Sequence, residues 1–198
     1  MRFSLTREAL LKPLQAIAGV VERRQTMPIL GNVLLQVTET SLSITGSDSE
    51  VELVGHIPLV DAEPGSITVP GRKFLDICRA LPEAAVVEIV LDDERVKLRS
   101  GRSRYTLATL PAAEFPNVEP LTNATSLTIP QKTLRELVSK THFAMAVSDV
   151  RYFLIGVLLE IATNKLVTCA TDGHRLALCQ VTTDIVSPQE MQVIVPRK

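Results

Sequence analysis

The sequence predicts an α+β fold of repeated strand–helix–three-strand units, paired two by two into domains with helices on one face and sheets on the other. Three observations lead there. A short phrase, an alternating apolar strand followed by an amphipathic helix, is written four times. Within each copy the hydrophobic period switches from about two residues to about 3.6. A polar turn in the first copy and one in the third lie at the same distance from their starting strands.

Residues 126–137, SLTIPQKTLREL, state the phrase most fully: Leu127 and Ile129 alternate with threonine, Pro130 follows, and Leu134, Leu137 and Val138 fall on one side of a helix. Residues 66–78, SITVPGRKFLDIC, repeat it with Ile67 and Val69, Pro70, then Phe74, Ile77 and Cys78. The amino terminus has it without proline: Phe3 and Leu5, then Leu10, Leu11, Leu14, Ile17 and Ala18. Residues 192–198, QVIVPRK, begin it again. Leu5, Val69, Ile129 and Val195 recur at intervals of 64, 60 and 66 residues, and a period of this kind outranks any single motif.

In the first copy a helix is expected over 7–21, kinked at Pro13, where one backbone bond is lost. A loop over 22–28 carries Arg23 and Arg24, and strands follow at 33–37, 42–45 and 51–57. The second copy places a helix over 72–81, stopped by Pro82, and strands at 86–90, 95–99 and 104–107. Pro111, Pro116 and Pro120 mark 111–125 as a linker, which divides the chain into a first domain, 1–120, and the start of a second, 121–198. The third copy carries a helix over 131–144 and strands at 153–160, 166–171 and 175–181. Asp48 and Asp172 are 124 residues apart, as are Leu5 and Ile129, so the first and third copies stay in register through their second turns.

A few strands with one helix leave an apolar face open, and a second copy covers it. The third copy lacks most of its mate. Either the natural chain is longer or this half-domain pairs with something else, and a truncated chain is the expectation.

A length of 198 residues with 45% hydrophobic composition is ample for a packed core. Cys78, Cys169 and Cys179 form no CxxC pair and lie in apolar runs, which reads as small buried hydrophobes in a reducing cytoplasm. No signal-peptide pattern and no apolar run near the ~20 residues of a membrane helix are present, so no membrane association is expected.

The net charge of −1 hides a segregation. The three helices and the first loop hold ten basic against four acidic residues, +6, which leaves −7 for the remainder. Ordinary solvated helix faces are one reading. The other is sequence-independent contact with phosphates, which needs a positive surface without base-reading side chains. All three helices share the sign. Aromatics, at 4%, are too few for a single-strand stacking platform, so a duplex backbone is the better match.

The most conspicuous polar cluster is 171–176, TDGHRL. Asp172 and His174 around Gly173 permit an acid–base pair, as in a small hydrolase, but no nucleophile elbow, zinc spacing or phosphate loop accompanies them. The in-register residues of the first copy, Asp48, Ser49 and Glu50, carry no histidine, and a structural turn with an Asx hydrogen bond is favoured. His56 and His142 are isolated, so no metal site is expected. Tyr152 and Phe153 should point to opposite sides of a strand, and Tyr152 is either an edge residue or exposed beside Arg151 at the rim of a binding surface.

KPLQ at 12–15, PILGN at 28–32, SGRSRYTLATLPAAEFPN at 100–117, DVRY at 149–152 and ATDGHRLA at 170–177 together resemble the bacterial β sliding clamps, the β subunits of DNA polymerase III, over the amino-terminal part of that family. The resemblance implies the DNA-clamp fold. It also implies a ring of two head-to-tail chains in the full-length family, helices lining the hole, no cofactor and no active site. The function implied is that of a cytoplasmic processivity factor that encircles duplex DNA without reading sequence and tethers the replicative polymerase. By the same resemblance Arg24 and Arg72 contact DNA, Tyr152 is the rim aromatic, and Ser148 and Phe153 stand where the family would have Gln and Tyr. Leu154, Thr171, Gly173, His174, Arg175 and Leu176 form one wall of the pocket for short motifs of polymerases and clamp-loader subunits. Tyr105 and Leu107 lie on the edge that meets the neighbouring chain. The other pocket wall and the other face of the ring contact lie in family segments absent from this chain. Self-association through the open half-domain, without clamp activity, is an alternative. A hydrolase using Asp172 and His174 is another, and retained hydrolysis lost on His174→Ala would favour it.

Overall fold

Each helix is entered directly from an extended segment, with no turn between. Strand β1 (Arg2–Thr6) runs into helix α1 (Arg7–Ile17), and strands β2 (Asn32–Val37), β3 (Ser41–Ser47) and β4 (Glu52–Pro58) follow. Strand β5 (Gly65–Pro70) runs into α2 (Gly71–Ala80), followed by β6 (Val86–Asp92), β7 (Arg95–Ser100) and β8 (Ser103–Ala108). Helix α3 (Gln131–Thr141) precedes β9 (Gly156–Ala162), β10 (Lys165–Thr171), β11 (Leu176–Thr182) and β12 (Met191–Pro196). The computed structural model describes residues 1–21, 27–49, 51–116, 126–185, 187 and 189–197. These fall into two units, Met1–Glu119 and Pro120–Lys198.

The residues that end the leading strands explain the direct entry. Thr6, Pro70 and Pro130 all keep φ between −57° and −70° with ψ above 100°, extended enough to finish a strand and adjacent to the helical region. The Thr6 hydroxyl also accepts the Ala9 N–H at 3.4 Å, capping α1.

The leading strands then change sheets. β1 pairs antiparallel with β6, Phe3 opposite Ile89, and completes a sheet in the order β1-β6-β7-β8. β5 pairs with β2, Val69 opposite Val33, in the order β4-β3-β2-β5. Each half of the first unit therefore contains a strand from the other. α1 packs on β3, β4 and α2, and one apolar core containing Phe3, Leu10, Leu14, Leu35, Phe74 and Ile89 runs through both halves.

In the second unit β12 pairs with β9, Val195 opposite Val157, as β5 pairs with β2, giving the order β11-β10-β9-β12. Residues 126–130, expected as a strand, are extended but join no ladder among the described residues. Their counterpart β1 pairs with the first strand of the following half, and no such strand stands among the described residues here.

Further expectations are corrected. α1 ends at Ile17, short of the expected 21, and Val20 and Val21 are buried in the turns beyond it. α3 ends at Thr141, and 142–144 continue as a 3-10 turn. Residues Tyr152–Ile155 form another 3-10 turn, so the strand expected at 153 begins at Gly156, and the two aromatics do not alternate across a sheet. The first part of the expected linker is structural: Phe115 is buried against Ile29, Leu30 and Leu34, just after Leu110, whose carbonyl accepts from Thr68 Oγ1 at 2.8 Å. Residues 117–125, the rest of that linker, lie outside the described residues.

Two glycines make room for α1. A Cβ on Gly46 would stand 2.4 Å from Ile17 Cγ2, and one on Gly55 would stand 2.7 Å from Pro13 Cβ. The positions 124 residues later are Ala170 and Cys179 on the strands and Thr141 and Leu137 on α3, so at the Ile17–Gly46 pair volume shifts from helix to sheet between the first and third copies. Gly46→Ala should lower stability by about 1–3 kcal/mol through overpacking. Ile17→Thr, the pairing present at Thr141 and Ala170, should recover part of that loss. Urea unfolding of the two single variants and the double variant checks this, since simple additivity would contradict the pairing.

Candidate functional site

The 171–176 cluster is a structural turn before it is anything else. Asp172 Oδ1 accepts the His174 and Arg175 N–H groups, both at 3.0 Å, and Oδ2 accepts Arg175 Nε at 2.9 Å. Thr171 Oγ1 accepts the Gly173 N–H at 3.1 Å and donates to the Arg175 carbonyl at 2.7 Å. The first unit builds the same turn 124 residues earlier. Asp48 Oδ1 accepts the Val51 N–H at 2.7 Å, and Ser47 Oγ accepts the Ser49 N–H at 3.1 Å. Ser49 has φ 77° where Gly173 has φ 89°. Both carboxylate oxygens of Asp172 are engaged by Arg175 and backbone N–H groups. Among the described residues no hydrogen bond joins Asp172 to the His174 ring, so the acid–base pair needed by a hydrolase is not formed.

A second polar turn lies against the first. Asp149 Oδ1 accepts Arg151 N at 2.8 Å and Nε at 3.0 Å, and Oδ2 accepts Nη2 at 2.9 Å. The same Nη2 lies 3.6 Å from the place a Gly173 Cβ would occupy, an ordinary van der Waals distance, so it is the left-handed φ of Gly173 that favours glycine there. The chain then turns through Tyr152–Ile155, held by the Leu154 N–H to the Arg151 carbonyl at 2.9 Å and the Ala146 N–H to the Leu154 carbonyl at 3.0 Å. Arg151 thus brings this segment to the 171–175 turn, and Leu154 follows Tyr152 (83% exposed) and Phe153, whose rings meet edge to face at 6.2 Å. Ser148 is exposed on the same segment. Leu176 projects from β11 at 65% exposure, and Leu178, on the same face, is almost as open. Sequence reasoning passed over Leu178; its signal was the LALC run, apolar on both alternations. The result is an exposed apolar surface edged by two guanidinium groups, each anchored by its own aspartate. Such a surface can hold a short peptide with apolar side chains.

The helix face behaves differently from the expectation in one respect. Arg7 is half-buried; Nε donates to the Cys78 carbonyl at 3.0 Å and Nη2 to the Arg79 carbonyl at 3.5 Å, so it caps the carboxyl end of α2 and does not serve an outer surface. Arg72, on α2, is exposed, yet one Nη2 donates to the Val21 carbonyl at 3.1 Å beyond the end of α1. Lys12, Lys73, Lys132 and Arg135 are exposed and make no ion pair among the described residues, whereas Arg79 and Lys140 pair with Asp76 and Glu136. Arg24 lies outside the described residues.

Among the described residues β8 pairs only with β7 and stands at the edge of its sheet. Leu107 and Tyr105 turn their side chains toward the core, so this edge offers its backbone and the side chains of Arg104, Thr106 and Ala108. Burial pushes the Cys78 thiol up to about 12, consistent with a core residue. Among the described residues no three His, Cys, Asp or Glu groups converge on a metal position, and no helix is long and apolar enough to cross a membrane.

The hydrogen bonds from Arg151 hold the Asp149 carboxyl down at about 2, and those from the His174 and Arg175 N–H groups lower Asp172. A depressed carboxyl favours the folded turn above its usual value near 3.8 and loses that contribution as pH falls through the folded value. Both turns should therefore be intact at pH 5, with the 149–151 turn opening between about pH 4 and 2. Carboxyl-carbon NMR titration checks this; Arg151→Ala should return Asp149 toward 3.8, and a wild-type Asp149 already titrating there would contradict the geometry.

Comparisons with known proteins give the chain a family. Residues 1–119 match the family described as DNA polymerase III beta subunit, N-terminal domain, and residues 128–198 match its central domain. The beta sliding clamp of Pseudomonas putida is 54% identical over the whole of this chain, and that of Escherichia coli is 51% identical. The chain spans 54% of the length of each. A crystal structure of a sliding clamp from Pseudomonas aeruginosa bound to griselimycin superposes with a TM-score of 0.93, at 54% identity, over all of this chain and 54% of that one.

Proposed function

The chain belongs to the DNA polymerase III beta subunit family, the sliding clamps, and we propose from that membership that it acts as part of a processivity factor with no catalytic site of its own. Lys12, Arg72 and Lys73 on the helices of the first unit contact the backbone of duplex DNA, as do Lys132 and Arg135 on the helix of the second, and Arg24 is assigned the same role. The rim made by Leu154 and 171–176 holds short peptide segments of the polymerase and clamp-loader subunits, with Tyr152, Phe153 and Ser148 between rim and DNA. The free edge at β8, with Tyr105 and Leu107, is assigned to contact with a neighbouring chain in a head-to-tail ring. The reading places the protein in the cytoplasm, with duplex DNA, the polymerase and a second clamp chain as partners.

The observation that carries this reading is the approach of the 149–155 segment to the 171–175 turn, marked by Arg151 Nη2 beside Gly173. It gathers exposed apolar side chains and anchored arginines on a frame that the first unit uses only as a turn. Arg72 has a further part here: its bond to Val21 fixes the chain at the point where the segment bearing Arg24 begins.

Two measurements test the proposal. Griselimycin, bound by the Pseudomonas aeruginosa clamp, serves as the probe for the rim. The chain should bind it, Leu176→Glu should weaken binding by about tenfold or more, and Lys73→Glu should leave it unchanged. Equal binding by Leu176→Glu would remove the rim from the reading. For DNA, affinity should be the same for two duplexes of unrelated sequence, and each of Lys12→Glu and Lys73→Glu should reduce the salt slope by roughly one unit. A sequence preference, or unchanged slopes, would contradict backbone contact.

A further inference from the structure

Two arginines make the same contact, one in each unit. Arg72 Nη2 donates to the Val21 carbonyl at 3.1 Å, and Arg197 Nη1 donates to the Ala146 carbonyl at 3.3 Å. Donor and acceptor are 51 residues apart in both, and the second pair lies 125 residues after the first. Each donor follows a Val-Pro pair that ends a strand, β5 in one unit and β12 in the other. Each acceptor belongs to a buried stretch just past a helix: Val20 and Val21 beyond α1, and Ala144, Met145 and Ala146 beyond α3. A buried carbonyl needs a donor. Arg72 supplies one from the first turn of a formed helix, α2, and the repetition of donor, acceptor and spacing marks the contact as part of the fold.

In the second unit the contact leads on to the candidate site. The Ala146 N–H donates to the Leu154 carbonyl at 3.0 Å, and the Leu154 N–H donates to the Arg151 carbonyl at 2.9 Å. Arg197 is therefore bonded to the residue that holds Leu154. The ladder explains how it gets there. Pro196 stands opposite Gly156, and Gly156 directly follows the Tyr152–Ile155 turn, so β12 delivers Arg197 to the foot of the loop from which Leu154 rises. We propose that Arg197 is a positioning residue for the peptide rim. By holding the Ala146 carbonyl it fixes the 146–154 loop, and with it the side chain of Leu154, without touching the peptide. This rests on the reading of Leu154 and 171–176 as a peptide rim. It adds an anchor at the loop's foot to the one at its far end, where Asp149 holds Arg151 beside the 171–175 turn. A loop held at both points loses less entropy when a peptide arrives.

Amide exchange and griselimycin binding, measured on the same variants, test this. Arg197→Ala should speed exchange of the Ala146 amide by about tenfold, the worth of one hydrogen bond, while amides paired between β10 and β11 keep their wild-type protection. It should weaken griselimycin binding by roughly three- to tenfold, and Arg197→Lys, which keeps a donor on a long stem, should recover part of that loss. Because Arg197 acts through Leu154, adding Arg197→Ala to Leu154→Ala should cost no further affinity. Ala146 exchange that does not change in Arg197→Ala overturns the proposal whatever the rim binds. So does an additive double variant, or wild-type affinity in Arg197→Ala when Leu176→Glu has weakened binding. Binding untouched by both Leu176→Glu and Leu154→Ala is instead the failure of the rim itself, and the positioning role falls with it.

Discussion

The absence of any turn between leading strand and helix governs this structure. At Thr6, Pro70 and Pro130 the backbone passes from extended to helical within one residue. A helix entered that way cannot double back beneath the strand it has just left. It crosses instead under the neighbouring sheet: α1 follows β1 but packs on β3 and β4, in the sheet that β1 does not join. In the first unit each copy therefore gives its leading strand to the other, and α1 covers strands of its own copy. Burial of Phe3 against Ile89, and of Val69 against Val33, is the energetic consequence, and neither contact exists within a single copy.

The candidate site grows from the same economy. A turn between the second and third strands of a copy is required by the fold, and Asp48 and Asp172 form it with the same acceptor atoms. What distinguishes the second unit is the side chains mounted on that frame. Arg175 replaces Val51, Gly173 replaces Ser49, and the 149–151 turn brings a second aspartate–arginine pair alongside. Rigid local hydrogen bonding holds both guanidinium groups in place, so Leu154, Leu176 and Leu178 stand beside an ordered polar edge. A binding rim needs that order, since flexible side chains lose entropy when a partner arrives.

The repeat, the element order and the register between the first and third copies were legible because side-chain period and spacing are written directly in the residues. Strand exchange was not, since a period of two says which face a residue takes but not which sheet the strand joins. The Tyr152–Ile155 turn was misread as strand because four consecutive apolar residues suit either conformation. Arg7 counted toward a positive face, although its guanidinium is used on the carbonyls of α2, and only distance in space reveals that. The turn over 171–175 was anticipated from its first-unit counterpart, while its meeting with Arg151 was not, because those residues are far apart along the chain.

Native-state hydrogen exchange, read residue by residue, addresses the strand exchange most directly. Amides of Gly65–Pro70 and Met191–Pro196 that bond across their ladders should be protected, while those of residues 126–129, with the same sequence pattern, should exchange close to the rate of a free chain. Protection of 126–129 equal to that of Gly65–Pro70 would mean that this strand has found a sheet within the chain's own assembly. The rule that a leading strand is ordered only by the three strands of another copy would then be wrong.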